Sequence, residues 1–99
     1  MQSDRWDKDV LELYRAIQAL ESTEECQAFF TDLCTVAELQ SLGQRFAVAK
    51  LLKEKLTYAD IGKLTGASAA TISRVNRALV YGENGYSTIL ERLETEEKS

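Results

Sequence analysis

The stretch Tyr58-Ala-Asp-Ile-Gly-Lys-Leu-Thr-Gly-Ala-Ser-Ala-Ala-Thr-Ile-Ser-Arg-Val-Asn-Arg-Ala-Leu79 decides the fold. Its spacing predicts a short helix over Tyr58 to Leu64, with Ile61 and Leu64 on one inward face. Thr57 precedes it as an N-cap, because a hydroxyl there accepts an otherwise unpaired N–H. Gly66 supplies the left-handed conformation that ends a helix without a Cβ clash. Ser68 is placed to cap a second helix, whose apolar stripe is Ile72, Val75 and Leu79. Small residues at Gly62 and Ala67 would let the two helices cross closely. Helix, glycine turn and capped second helix are the anatomy of a helix-turn-helix.

The other face of the second helix carries the chemistry. Ala69, Ala70, Ser73, Arg74 and Arg77 fall near one stripe by helical spacing. A major groove admits a helix whose leading side chains are small, with arginine reaching guanine edges or phosphates. Two ordinary packed helices joined by a glycine turn, common in all-α proteins, are the plain alternative, but here glycine turn, small residues, serine cap and arginine face occur together. The combination therefore favours DNA binding.

Charge distribution agrees, although the net charge of −4 looks adverse. Residues 1–42 hold three basic and nine acidic groups, residues 83–99 two basic and five acidic. Residues 43–82 instead hold seven basic groups (Arg45, Lys50, Lys53, Lys55, Lys63, Arg74, Arg77) against two acidic ones. Phosphate binding needs such a local positive footprint, to which whole-chain charge is secondary.

At 99 residues and 44% hydrophobic, the chain suits a single domain with its own core. No apolar run approaches the roughly 18 residues of a membrane span. The first nine residues are mixed-charge and lack the apolar segment of a signal peptide, so a cytoplasmic protein is expected. There is no proline, which suits a helical chain, and no histidine, which removes triad-type catalysis. Cys26 and Cys34 without histidine make no usual zinc set and read as core thiols. No catalytic residues, metal ligands or cofactor are expected, and an enzyme is the least favoured class.

Val10, Leu13, Tyr14, Ile17 and Leu20 recur at helical spacing over about Asp7 to Leu20. Ser22-Thr-Glu-Glu25 and Thr35-Val-Ala-Glu38 match capping boxes. The first opens a helix with Cys26, Phe29, Phe30 and Leu33 on one stripe. The second opens a longer helix to about Glu54, with Leu39, Leu42, Phe46, Ala49, Leu51 and Leu52. Gly43 inside it costs about 1 kcal/mol relative to alanine and marks either the close approach of another backbone or a tolerated weak point. Tyr81 to Gly85 is a turn, and Tyr86, Ile89, Leu90 and Leu93 mark a last helix before a polar tail. The expected fold is all-α, with about six helices in one domain over 1–99. Its parts are a dimerising region (7–56), the helix-turn-helix (57–80), a final helix (84–95) and a tail (96–99). A homodimer is expected, because the amino-terminal helices are strongly one-sided and DNA-reading helices commonly act in pairs about 34–36 Å apart.

The segments Leu33-Cys-Thr-Val-Ala-Glu-Leu-Gln-Ser-Leu-Gly-Gln-Arg45, Leu51-Leu52 and Gly66-Ala-Ser-Ala-Ala-Thr-Ile-Ser-Arg74 resemble the Trp repressor family. Glu24-Glu-Cys-Gln-Ala-Phe-Phe-Thr-Asp-Leu-Cys-Thr-Val36 further resembles its YerC/YecD branch, and the likeness spans most of residues 7–93. The resemblance implies an intertwined all-helical dimer binding operator DNA through the helix that begins near Ser68. In the Trp repressor, tryptophan lies between two arginines, which Arg45 and Arg74 match by motif. Two departures argue against that ligand. The segment from Arg45 to the Leu-Leu pair is one residue shorter, a rotation of about 100° at 3.6 residues per turn. The glycine that follows the second arginine in the repressor is replaced by Val75.

The residues thus point to a sequence-specific, dimeric, DNA-binding transcriptional regulator without a tryptophan switch. Double-stranded DNA is the expected partner, and no feature names another effector. The DNA-binding candidates are Lys63, Ser68, Ala69, Ala70, Thr71, Ser73, Arg74 and Arg77, while Arg45, Arg74 and Val75 form a vestigial ligand pocket. Lys50, Lys53 and Lys55 would add phosphate contacts or long-range attraction. The alternatives are a protein-interaction module and a DNA-binding helper in replication or transcription without an operator.

Overall fold

Six α-helices and no strand make up residues 4–98, the part described by the computed structural model. They are α1 (Asp4–Gln18), α2 (Thr23–Leu33), α3 (Val36–Lys53), α4 (Tyr58–Thr65), α5 (Ala69–Tyr81) and α6 (Gly85–Lys98). Met1 to Ser3, at the start of the mixed-charge amino terminus, and Ser99 of the expected tail lie outside the described residues. The chain divides between Leu39 and Gln40 into two compact units.

In the first unit the starts of α2 and α3 are set by side chains. The Glu25 N–H donates to Ser22 Oγ at 3.1 Å, and the Glu25 carboxylate accepts the Glu21 N–H at 2.9 Å. The reciprocal bond falls one residue before the expected one. At α3 the box is fully reciprocal, with Glu38 N–H to Thr35 Oγ1 at 3.0 Å and Thr35 N–H to Glu38 Oε1 at 2.8 Å. The Thr35 backbone N–H most, and the Thr35 side chain after it, favour the ionised carboxylate and hold the Glu38 carboxyl below its ordinary pKa. Packing is weaker than these caps. Phe29 and Phe30 meet edge to face, with centroids 5.5 Å apart. None of the residues described between Asp7 and Leu39 is fully buried. Cys26 and Cys34 are free thiols and only half-buried, so they are not the core positions the sequence suggested.

The second unit holds the core. Val48 and Ala49 of α3, Ile61 of α4, Ala67 of the turn, Ile72 and Val75 of α5, and Leu90 of α6 are buried. Phe46, Leu51, Leu52, Leu56, Leu79 and Tyr86 pack around them. The larger aliphatic side chains among them, valine, leucine and isoleucine, contribute about 1.5–3 kcal/mol each on full burial. Along α3 the broad apolar stripe resolves into a core-facing carboxyl half and an exposed amino half, where Leu39 and Leu42 reach solvent.

At the carboxyl end of α3, Lys55 N–H donates to Leu52 O at 3.0 Å and Leu56 N–H to Leu51 O at 3.2 Å. This is a Schellman closure with Lys55 in the left-handed conformation (φ 71°), a place usually held by glycine. Asn84, also left-handed (φ 64°), precedes α6, and its carbonyl accepts the Thr88 N–H at 3.0 Å. A Cβ on Gly82 would run into the Ala78 carbonyl oxygen, so only glycine fits where α5 stops. Beyond residue 95 a polar tail was expected. The helix instead continues to Lys98. Glutamate and lysine are good helix formers, and Thr95 Oγ1 bonds back to the Glu91 carbonyl at 3.0 Å.

Candidate nucleic-acid interface

The α4–turn–α5 segment is built from its caps inward. Thr57 Oγ1 accepts the Asp60 N–H at 3.1 Å and starts α4. Gly66 ends it with φ 74°, its N–H donating to the Gly62 carbonyl at 2.9 Å. The Thr65 hydroxyl donates to the Ile61 carbonyl at 2.7 Å and accepts the Ala67 N–H at 3.1 Å. Ser68 Oγ then accepts the Thr71 N–H at 3.1 Å and starts α5. Between Gly66 and Ala69 the chain is thus held by three side-chain or capping bonds, which fixes where α5 begins.

Of the small residues expected at the crossing, Ala67 is buried as required. Gly62 has more room than expected, since a Cβ there would lie 3.6 Å from the Ala67 carbonyl, an ordinary contact. Leu64 departs outright from the sequence reading. Ile61 is fully buried, but Leu64 is 67% exposed. A spacing of three residues turns Leu64 about 60° away from Ile61, and no element of this unit covers it.

On α5 the two faces separate cleanly. Ile72 and Val75 are buried and Leu79 half-buried, while Ala69, Ala70, Ser73, Arg74 and Arg77 are all exposed. Thr71 is half-buried and belongs to the cap, its Oγ1 accepting the Ser68 hydroxyl proton at 3.1 Å. Lys63 is exposed on α4. Among the described residues, Lys63, Arg74 and Arg77 have no carboxylate partner, leaving their charge for an external anion. Lys53 lies 3.8 Å from the Glu91 carboxylate, a loose surface pair that contributes little. Lys50 and Lys53 also edge a cavity of about 300 Å³ between α3 and α6, floored by Phe46, Leu90 and Leu93.

The proposed ligand-pocket residues have separate fates. Val75 is 1% exposed and packs in the core. Arg45 is half-buried and turns back along its own helix, Nη1 to Ser41 Oγ at 3.1 Å. Arg74 is exposed on the outer face of α5.

Residues 8–94 match the family described as Trp repressor protein. The chain belongs to the Trp repressor family. It is 50% identical over 93 residues to the uncharacterized protein YerC of Bacillus subtilis, covering 93% of this chain and 89% of YerC. A solved TrpR-like protein from Eubacterium eligens superposes with a TM-score of 0.86 at 53% identity, over 88% of this chain and 90% of the other. A Staphylococcus aureus protein, solved as a candidate Trp repressor, gives 0.85 at 53% identity, over 88% and 87%. The family comprises helix-turn-helix DNA-binding regulators and not enzymes, and α4 and α5 form the helix-turn-helix of this chain. No helix among the described residues is long and apolar enough to cross a membrane.

Two residues beside the candidate interface were missed by sequence reasoning. Tyr81 is 83% exposed and continues the exposed α5 stripe of Arg74 and Arg77. Helical spacing from Arg74 and Arg77 could have found it. Gln44 of α3 donates to the Thr65 carbonyl at 3.2 Å, a tertiary contact with no sequence signal.

Proposed function

We propose that this chain is a dimeric, sequence-specific transcriptional regulator that reads the major groove with α5 and does not respond to tryptophan. The observation that carries the reading is the composition of the exposed α5 face. From Ala69 to Arg77 it holds two methyl groups, one hydroxyl and two guanidinium groups, with its apolar residues turned inward. Small leading residues allow close approach to base edges, and arginine pairs bidentately with guanine. Ser68, Thr71 and Lys63 flank the face as backbone-phosphate candidates, because hydroxyls and helix N-termini commonly position a protein on DNA. Lys50, Lys53 and Lys55 would extend the positive footprint.

Pairing of two chains through residues 7–56 would satisfy the apolar side chains that the first unit leaves exposed, among them Leu11, Tyr14 and Leu33. It would also space two α5 helices for successive major grooves. Burial of Val75 supports the lack of a tryptophan response, since its isopropyl group stands where the repressor keeps glycine for the ligand. A cytoplasmic location follows from the same reading.

Selection from a random DNA pool tests the proposal. Enrichment of a palindromic site supports a dimeric, specific reader. A pool recovered without enrichment would leave a non-operator DNA-binding helper, and failure to retain any DNA would point to a protein partner.

A further inference from the structure

We propose that Gln44 is a positioning residue for DNA reading, holding the turn between α4 and α5 in place from α3. The inference rests on α5 being the DNA reader. Gln44 is half-buried and its Nε2 donates to the Thr65 carbonyl at 3.2 Å, across 21 residues of sequence. By contrast, the caps of the helices reach only three or four residues. Thr65 lies in the last turn of α4, where carbonyls run out of intrahelical donors. The amide of Gln44 supplies the missing donor.

What it holds is the junction that aims α5. Thr65 is tied by its hydroxyl to Ile61 and to the Ala67 N–H, and the next residue, Ser68, caps α5. Gln44 itself stands about one turn before Val48, which is fully buried, so the amide projects from an anchored helix. α3 therefore sets the turn, and the turn sets the reading face. Specific recognition needs base-edge geometry, whereas non-specific binding rests on charge alone. Loosening the turn should reduce the fraction of molecules in the reading geometry and weaken specific binding by that fraction.

The test compares full-length wild type with Gln44→Met, which keeps length and helix propensity but removes the donor. Amide exchange at Gly66 and Ala67 should rise about three- to tenfold, the range of one hydrogen bond. Exchange at Ile72 and Val75 should stay unchanged, which separates a freed turn from general destabilisation. Affinity for a selected site should fall by a similar factor, with random DNA at the same salt unaffected. Unchanged exchange at Gly66 and Ala67, or equal losses on both DNAs, would overturn the proposal. If wild type itself fails to discriminate between the DNAs, the specific-regulator reading fails, and the exchange data alone decide whether Gln44 pins the turn. Gln44→Ala, measured in parallel, should reproduce the exchange pattern.

Discussion

Ser68 and Thr71 close a two-way cap at the start of α5. The Thr71 N–H donates to Ser68 Oγ, and the Ser68 hydroxyl donates to Thr71 Oγ1, each at 3.1 Å. Satisfying these groups internally leaves Ala69 and Ala70 as a smooth leading edge and puts stability and DNA approach at the same residue.

Substitution at Ser68 should therefore separate the two roles. Ser68→Ala removes the cap and is expected to cost about 1 kcal/mol in urea denaturation. Ser68→Asp keeps a capping oxygen and adds a charge that the helix N-terminus favours, so stability should hold or improve. With α5 in the proposed major-groove position, the same carboxylate would face phosphate, so DNA binding should weaken. Parallel losses of stability and affinity across both variants would show that Ser68 acts through folding alone.

Arg74 and Lys63 should fail in different ways. Arg74→Ala is expected to cost about 1–3 kcal/mol on the selected site and to relax preference at one base position. Lys63→Ala should weaken all sequences alike and lower the slope of log affinity against log salt by about 1. Titrations at several salt concentrations distinguish these outcomes. Identical behaviour of the two variants on specific and random DNA would remove the case for base reading by Arg74.

These sites were legible to different degrees, for physical reasons. Ser22, Thr35, Thr57 and Ser68 were readable as caps because capping is local, a hydroxyl meeting an N–H three residues on. Gly66 was readable because a left-handed helix end strongly favours glycine. Lys55 takes the same conformation without glycine, so its Schellman closure left no trace in the residue type. Leu64 was misplaced because periodicity finds a stripe but not its edge, and only the packing of α5 decides that Ile61 is inside and Leu64 outside. Gln44 and the full length of α6 escaped for related reasons. One depends on a partner 21 residues away, the other on helix formers that look like any charged tail.

The Glu38 box should make part of the stability depend on pH. Hydrogen bonds from Thr35 lower the folded-state pKa of Glu38, the backbone bond contributing most. A carboxyl with a depressed folded pKa stabilises above its unfolded pKa and loses that contribution as pH falls through the folded one. Wild type should therefore lose some stability of the α3 amino terminus as pH drops through and below the ordinary glutamate range. Glu38→Gln should lack that step. Superimposable profiles from thermal melts across acid pH would mean that the box contributes nothing measurable.

Gly43 offers a direct test of pairing. It lies in mid-α3, where glycine costs about 1 kcal/mol relative to alanine, yet beyond the backbone of its own helix a Cβ there would meet nothing within 4 Å. Leu39 and Leu42 beside it are exposed. A second chain crossing closely at this point would account for all three. Gly43→Ala is then expected to weaken the dimer in sedimentation equilibrium, and Gly43→Val to weaken it further. A gain in stability with an unchanged oligomeric state would exclude Gly43 from the contact.

Tryptophan should have no effect on this protein. Arg45 and Arg74 retain the motif positions of the two arginines, but the arginines alone do not make a ring-shaped space. Val75 is packed against the core that includes Ile61 and Ile72, and opening room there would require removing buried methyl groups, which costs stability. Arg45 is meanwhile bonded to Ser41 along its own helix. Calorimetric titration is expected to show no micromolar tryptophan binding, and affinity for the selected DNA should be the same with and without the amino acid. Either a micromolar dissociation constant or a tryptophan-dependent gain in DNA affinity would mean that the pocket re-forms elsewhere, with Val75 lining it rather than filling it.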